Sequence, residues 1–277
     1  MHNTRLNWLD IARGIGIILV IYGHALDANS IRHLIYAFHM PLFFLISGIV
    51  FHHKGAESFL SFLKKSFKSI LIPYIIFAIS TYIFWLITNP RGFEEDAIIQ
   101  QIIGIIYGNG NRGYLGFNVA LWFLPCLFVT RIGFWFITKF TNKPKVIGII
   151  LFVISLFAYI FSKVQPNLKL PFGIETALTA IVFFGLGYLF NSQQTLILSF
   201  IKSRWKLILP LLTSIWLIFA QINFNIYDHQ IDLRLNRLDN YFLFYGAAIS
   251  GIIVTILTSI KIKNNVVLEY LGKKSLV

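Results

Sequence analysis

Eight apolar runs, each long enough to cross a lipid bilayer, leave this chain little choice of architecture. A transmembrane helix needs about 17–25 mostly apolar residues. Runs of that kind fall near 9–27, 33–52, 69–88, 118–138, 146–162, 174–191, 206–223 and 240–260. Only 13% of the 277 residues are charged and 57% are hydrophobic, whereas a soluble domain carries about a quarter charged residues. The chain is therefore an integral membrane protein. Lipid cannot satisfy backbone polar groups, so runs of this length are helices. The expected fold is all-α, a polytopic transmembrane bundle of about eight spans forming one integral-membrane domain over 1–277. The single Cys126 excludes an intrachain disulfide, and no His-x-x-x-His pair offers a metal site.

The net charge of +13 is not a nucleic-acid footprint, because the basic residues sit in short connections between apolar runs. One set of connections carries Arg5; Lys54, Lys64, Lys65 and Lys68; Lys139, Lys143 and Lys145; Lys202, Arg204 and Lys206; and Lys261, Lys263, Lys273 and Lys274. The alternate set carries only Arg32, Arg91, Arg112, Lys163, Lys169, Arg234 and Arg237. The positive-inside rule then places the N-terminus in the cytoplasm. Glu94, Glu95, Asp96, Asp228 and Asp232 fall outside.

The first run, Leu9 to His24, contains Asp10, Arg13 and His24. Arg13 and His24 are eleven residues apart, about three helical turns plus 20°, so both project from one face about 16 Å apart along the axis. Asp10, three residues before Arg13, falls near the same face. Ionisable groups in a bilayer are functional candidates by default. Asp10 and Arg13 lie toward the cytoplasmic end and His24 toward the outer end, as a polar track would. The second run, Ala37 to Gly48, brings its own histidine, His39, into the outer half. Its Pro41 frees a carbonyl one turn earlier and allows a kink. The short connection lets His24 and His39 face each other.

Three further stretches carry candidate ligands. Lys64, Lys65 and Lys68 lie in the connection before Ile72-Pro73-Tyr74, where lysines suffice as topology determinants and can also hold phosphates as point charges. The segment from Gly108 to Asn118, with Asn111, Arg112 and Tyr114, leads into Leu121-Trp122-Phe123-Leu124-Pro125. Glycines there permit close backbone approach. Asn118 and Trp122 could hold a sugar, although Trp122 equally suits an interfacial aromatic belt. Glu175 stands at the start of the sixth run, where helix N-terminal charge complementarity is the plain alternative. His52-His53 reads as an interfacial pair.

Together these stretches resemble the membrane acyltransferase 3 family, and within it the fucose 4-O-acetylase-like branch. The Arg13-to-His24 spacing within Leu9-Asp10-x-x-Arg13-Gly14 is similar to the family's defining motif. Phe38-His39-Met40-Pro41-Leu42-Phe43-Phe44 with Ser47-Gly48 is similar to its second-helix signature. Leu121-Trp122-Phe123-Leu124 and Phe183-Phe184-Gly185-Leu186-Gly187-Tyr188 match weaker landmarks. Many members have arginines where this chain has Lys64, Lys65 and Lys68. The family usually has about ten spans, and a similar Leu271-Gly272-Lys273-Lys274-Ser275-Leu276 leads into another helix, so the chain is expected to be C-terminally truncated.

The resemblance implies acyl transfer, commonly of acetyl, from cytoplasmic acyl-CoA to a carbohydrate hydroxyl of a cell-surface polysaccharide or its lipid-linked precursor. The implied setting is a bacterial cytoplasmic membrane. No permanently bound cofactor is implied; acetyl-CoA is the donor substrate, and the partners are the bilayer and the carbohydrate acceptor. Histidine suits as general base for a sugar hydroxyl, because its pKa lies near neutrality. His24 is the expected base, with Arg13 on the donor side and Asp10 positioning it. His39 is expected to be a second relay or an oxyanion donor, Lys65 and Lys68 the phosphate ligands, and Asn118, Trp122 and Glu175 the acceptor side. The same polar track would also suit a transporter or flippase of a lipid-linked sugar, a polysaccharide polymerase or ligase, or a non-catalytic membrane partner.

Overall fold

The computed structural model describes residues 7–25, 31–52, 57–88, 95–110, 113–262 and 264–275, apart from the side chains of 95–97. Arg5, His53, Lys54, Arg91, Glu94, Asn111, Arg112, Lys263 and Leu276, singled out above, lie outside the described residues. The first span is α1 (Asn7–Ala25), and the second is two helices in series, α2 (Arg32–Tyr36) and α3 (His39–Ile49). The third joins α4 (Phe59–Ser66), a π-helical turn (Phe67–Leu71) and α5 (Ile72–Thr88). A shorter helix, α6 (Glu95–Tyr107), follows. A 3-10 turn (Val119–Trp122) runs into α7 (Phe123–Phe140), and α8 (Pro144–Val164) forms the fifth span. The sixth is a second 3-10 turn (Pro171–Gly173) with α9 (Ile174–Ser192). Then come α10 (Gln194–Ser203), the spans α11 (Trp205–Tyr227) and α12 (Tyr241–Ile262), and a final helix α13 (Val266–Lys274).

Each apolar run of the sequence thus corresponds to a helix long and apolar enough to cross a membrane. Two boundaries differ from expectation. The third span begins at Phe59 rather than near 69, because Ser58 caps it: its hydroxyl accepts from the backbone N–H of Ser61 at 3.3 Å. Lys64, Lys65 and Lys68 therefore stand on a helix and its π turn, not in a loop. The second span is broken at Ala37–Phe38. Pro41 explains the place: its ring cannot coexist with a helical carbonyl four residues earlier, at Ala37, and it has no N–H to bond it. Pro41 itself sits harmlessly in the first turn of α3.

The chain divides into two compact units. One comprises Met1–Phe51, Leu186–Leu233 and Arg237–Val277; the other His52–Gly185 with Arg234–Asn236. In the first, α1 packs against α2, α3, α12 and α13. Its contact with α13 is backbone to backbone. A Cβ on Gly14 would strike the carbonyl of Leu268, and one on Gly272 would strike the carbonyl of Asp10. Small residues of this kind let membrane helices approach closely enough for extensive van der Waals contact. In the same unit, Phe38 is 2% exposed and packs edge-on to Trp216 at 4.9 Å between ring centres. Trp216 Nε1 donates to the carbonyl of Leu34 at 3.0 Å, satisfying an orphan acceptor at the end of α2.

In the second unit, Phe134 and Phe184 meet at 5.2 Å, and Phe62 of α4 stacks on Trp135 of α7 at 5.9 Å. The outward faces are apolar: Ile76, Ile79, Ile83, Phe84 and Ile87 on α5, and Ile149, Phe152, Val153, Phe157 and Ile160 on α8. Apolar residues at helical spacing on an exposed face suit lipid tails rather than water.

The seam between α1 and α13 leaves no room for a methyl group on Gly272. Gly272→Ala is expected to destabilise the first unit by about 1–3 kcal/mol, as overpacking does. A lowered thermal-unfolding midpoint of the detergent-solubilised protein checks this, with Gly148→Ala, whose added Cβ meets nothing within 4 Å, as the neutral comparison.

Candidate functional site

The first unit holds two polar groupings on α1, one near each end. Near its N-terminus, Asp10 is 2% exposed, and Arg13 Nη1 donates to its Oδ1 at 3.3 Å. The i,i+3 spacing makes this pair local, and the α1–α13 seam buries the aspartate. A buried pair of this kind is strongly destabilised when one partner is removed, so each charge holds the other in place.

The second grouping forms where the break in span two meets the end of α1. His24 is exposed near the C-terminus of α1, while His39, at the first position of α3, is 4% exposed. Gly23, the residue before His24, packs against Tyr36 and Ile35, which brings the end of α1 against the turn that leads to His39. The break leaves the carbonyl of Ile35 within reach of His39, whose Nδ1 lies 2.9 Å from it. A carbonyl only accepts, so Nδ1 carries the proton and, in the neutral ring, Nε2 carries the lone pair. The ring of Tyr36 tilts against His39 with centres 4.9 Å apart. Its edge also packs on Gly23, where an added Cβ would lie 3.1 Å from Tyr36 Cε2. Arg32 Nη2 donates to the Tyr36 hydroxyl at 3.2 Å, and its guanidinium lies 4.8 Å from the centre of that ring.

In the second unit, Lys64, Lys65 and Lys68 join Ser58, Leu60 and Ser61 around an open depression of about 420 Å³. Lys68 follows Lys65 by three residues and Lys64 by four, spacings that make it the neighbour of both on the helical surface. Lys65 Nζ pairs with Glu57 Oε1 at 2.6 Å. That same oxygen accepts from the Ser61 hydroxyl at 3.2 Å.

Glu175 is 1% exposed, with both oxygens engaged. Oε1 accepts from Asn109 Nδ2 and Oε2 from the backbone N–H of Leu170, each at 3.0 Å. Asn109 Nδ2 also donates to the Leu170 carbonyl at 2.9 Å. The next residue, Gly110, packs beside Trp122, and its carbonyl accepts from Arg234 Nη1 at 2.7 Å. Glu175 and Trp122 are thereby gathered around the 109–110 turn. Trp122 is 7% exposed and packs edge-on to Phe123 at 6.4 Å. Asn118 stands at the N-cap of the 3-10 turn and is half-buried, without a side-chain capping bond.

The sequence-derived candidates thus fall into local sets: Asp10 with Arg13, Lys65 with Lys68, and Glu175 near Trp122, with His24 and His39 on the two helices that meet at Gly23 and Tyr36. Sequence reasoning missed the partners that complete them. Arg32 and Tyr36 stand at i,i+4 immediately before His39, a spacing that could have revealed them. Asn109 and Arg234 could not have been found that way, since they act across 66 and 124 residues. A further polar pair was missed for the same reason: His229 Nδ1 lies 3.5 Å from Asp239 Oδ2, which accepts from Asn223 Nδ2 at 3.0 Å.

The Glu175 arrangement makes a stability prediction. Glu175→Gln turns one acceptor into a donor facing a donor, which is expected to cost about 1–3 kcal/mol. Asn109→Ala should lose a similar amount. The double variant should fall short of the sum by at least about 0.5 kcal/mol, as for residues in one network. Thermal unfolding of the four proteins in detergent tests the coupling.

Against known proteins, the acyltransferase 3 family model, described as an acyltransferase domain, matches residues 6–277. No curated protein and no solved structure matches the chain. The match covers nearly the whole chain, and the protein belongs to the acyltransferase 3 family.

Proposed function

We propose that this membrane acyltransferase moves an acetyl group from acetyl-CoA to a sugar hydroxyl of a cell-surface polysaccharide or its lipid-linked precursor, in the manner of the fucose 4-O-acetylase-like branch. The observation that carries the reading is the placement of charge on α1, in a chain whose family is established. A buried Asp10–Arg13 pair lies near one end, and His24 lies near the other, where Gly23 packs against Ile35 and Tyr36 before the break in span two. In this reading the N-terminus is cytoplasmic, the Arg13 end faces the donor, and the His24 end faces the acceptor.

The chemistry follows from the residues. A sugar hydroxyl attacks a thioester only as its proton leaves, and His24 takes that proton. The new C–O bond forms at the thioester carbonyl, the C–S bond then breaks, and His24 returns the proton to the departing thiolate. His39, with Nδ1–H fixed on Ile35, presents Nε2 as an acceptor and relays for His24. Arg13 orients the donor, and its pairing with Asp10 keeps the guanidinium aligned. Lys65 and Lys68 hold the donor's phosphates as point charges, Lys65 being steadied by Glu57. Asn118 and Trp122 contact the acceptor. Glu175 serves it indirectly, by fixing the 109–110 and 170 segments on which that surface is built.

Membranes bearing the protein, supplied with labelled acetyl-CoA, should yield alkali-labile label on their glycans. His24→Ala at equal protein level should reduce this by at least about 10²-fold, the lower bound for loss of a general base. Unchanged labelling would remove His24 from the reaction. Lys68→Ala should instead raise the KM for acetyl-CoA with little change in kcat, the pattern of lost uniform binding. A kcat loss at constant KM would argue against a phosphate-binding role.

A further inference from the structure

We infer that Tyr36 donates the hydrogen bond that stabilises the oxyanion of the transfer, and that Arg32 positions it; this rests on the acyltransferase reading proposed above. Acyl transfer passes through a tetrahedral intermediate whose carbonyl oxygen carries negative charge. A preorganised donor aimed at that oxygen is commonly the largest single contribution to catalysis. His39 was the sequence candidate for this role, but the geometry assigns it otherwise. Its Nδ1–H is committed to the carbonyl of Ile35, so the neutral ring offers only a lone pair.

Tyr36 has what His39 lacks. Its phenolic oxygen accepts from Arg32 Nη2 at 3.2 Å. A phenol has one proton of its own to give, and no described residue takes the one on Tyr36. The ring is fixed on three sides: by Gly23, the neighbour of His24 in the chain; by His39 at 4.9 Å between centres; and by Arg32 at 4.8 Å. The phenolic O–H is therefore held between Gly23, at the end of α1, and the ring of His39. Arg32 occupies the acceptor side of the phenol, which directs the O–H away from itself. Its Nε is buried without a partner among the described residues.

In the step this implies, the sugar oxygen bonds to the thioester carbon as its proton passes to His24. The carbonyl electron pair moves onto oxygen, which accepts the Tyr36 O–H hydrogen bond without taking the proton. Collapse restores the carbonyl, the C–S electron pair leaves on sulfur, and His24 delivers the proton to give free CoA.

The test uses membranes carrying the full chain, labelled acetyl-CoA and the glycans of those membranes, with CoA release measured in parallel. Tyr36→Phe keeps the ring and its packing while deleting the donor. It should lower kcat by about 10²–10³-fold, with the KM for acetyl-CoA within about twofold of wild type. Arg32→Gln should lower kcat less, and Arg32→Lys should restore part of the loss. The double variant Tyr36→Phe/Arg32→Gln should be no worse than Tyr36→Phe, because Arg32 acts through the phenol. Near-normal kcat in Tyr36→Phe, with His24→Ala inactive, overturns the donor assignment alone. Multiplying losses in the double variant overturn the role of Arg32. Full activity of His24→Ala, or no CoA release by wild type, overturns the underlying acyltransferase mechanism and this assignment with it. If Tyr36→Phe fails to yield folded protein, a wild-type kcat in Arg32→Gln overturns the pairing.

Discussion

Lipid offers a helix no hydrogen bonds and little dielectric relief, so a charge inside the bilayer depends on what protein can be brought against it. In this chain that depends on the backbone-to-backbone seam between α1 and α13. Gly14 and Gly272 each receive the other helix's carbonyl where any side chain would intrude. The seam buries Asp10, Asp10 holds Arg13, and α1 in turn carries His24 toward the break in span two. An arrangement that begins as two glycines thus fixes the two ends of the proposed reaction track relative to each other, along a single rigid helix.

The spans were legible in the sequence because hydropathy reads directly the property that the bilayer selects. Every apolar run became a helix, and the Pro41 break fell where the missing N–H and the ring clash predict. The lysines were misread as loop residues because one capping serine outweighs hydropathy: Ser58 starts the helix before the apolar run begins. The family was legible too, through the Arg13–His24 spacing and the motif around His39.

What the sequence hid was the set of partners. Glu175 read as an acceptor-side ligand or as a charge complementing the start of its helix. It is instead closed off by Asn109 and Leu170, contacts that span 66 and 5 residues. A helical periodicity carries no information about a bond across 66 residues. Tyr36 stood at a readable i,i+4 spacing from Arg32, but that spacing does not show which half of its hydrogen-bonding capacity Arg32 uses.

The break in span two has a consequence for heredity and for redesign. Pro41 carries no chemistry of its own, yet the break it causes lets the Ile35 carbonyl fix the proton of His39 on Nδ1. Restore an ordinary residue there and the helix can run through. The Ile35 carbonyl, which now accepts from the Phe38 N–H beside His39 Nδ1, would take the His39 backbone N–H instead, and the bent geometry that presents it to the imidazole would go with the break. A substitution that would read as a repaired, more regular helix would thereby remove the device that sets the ring's donor and acceptor ends.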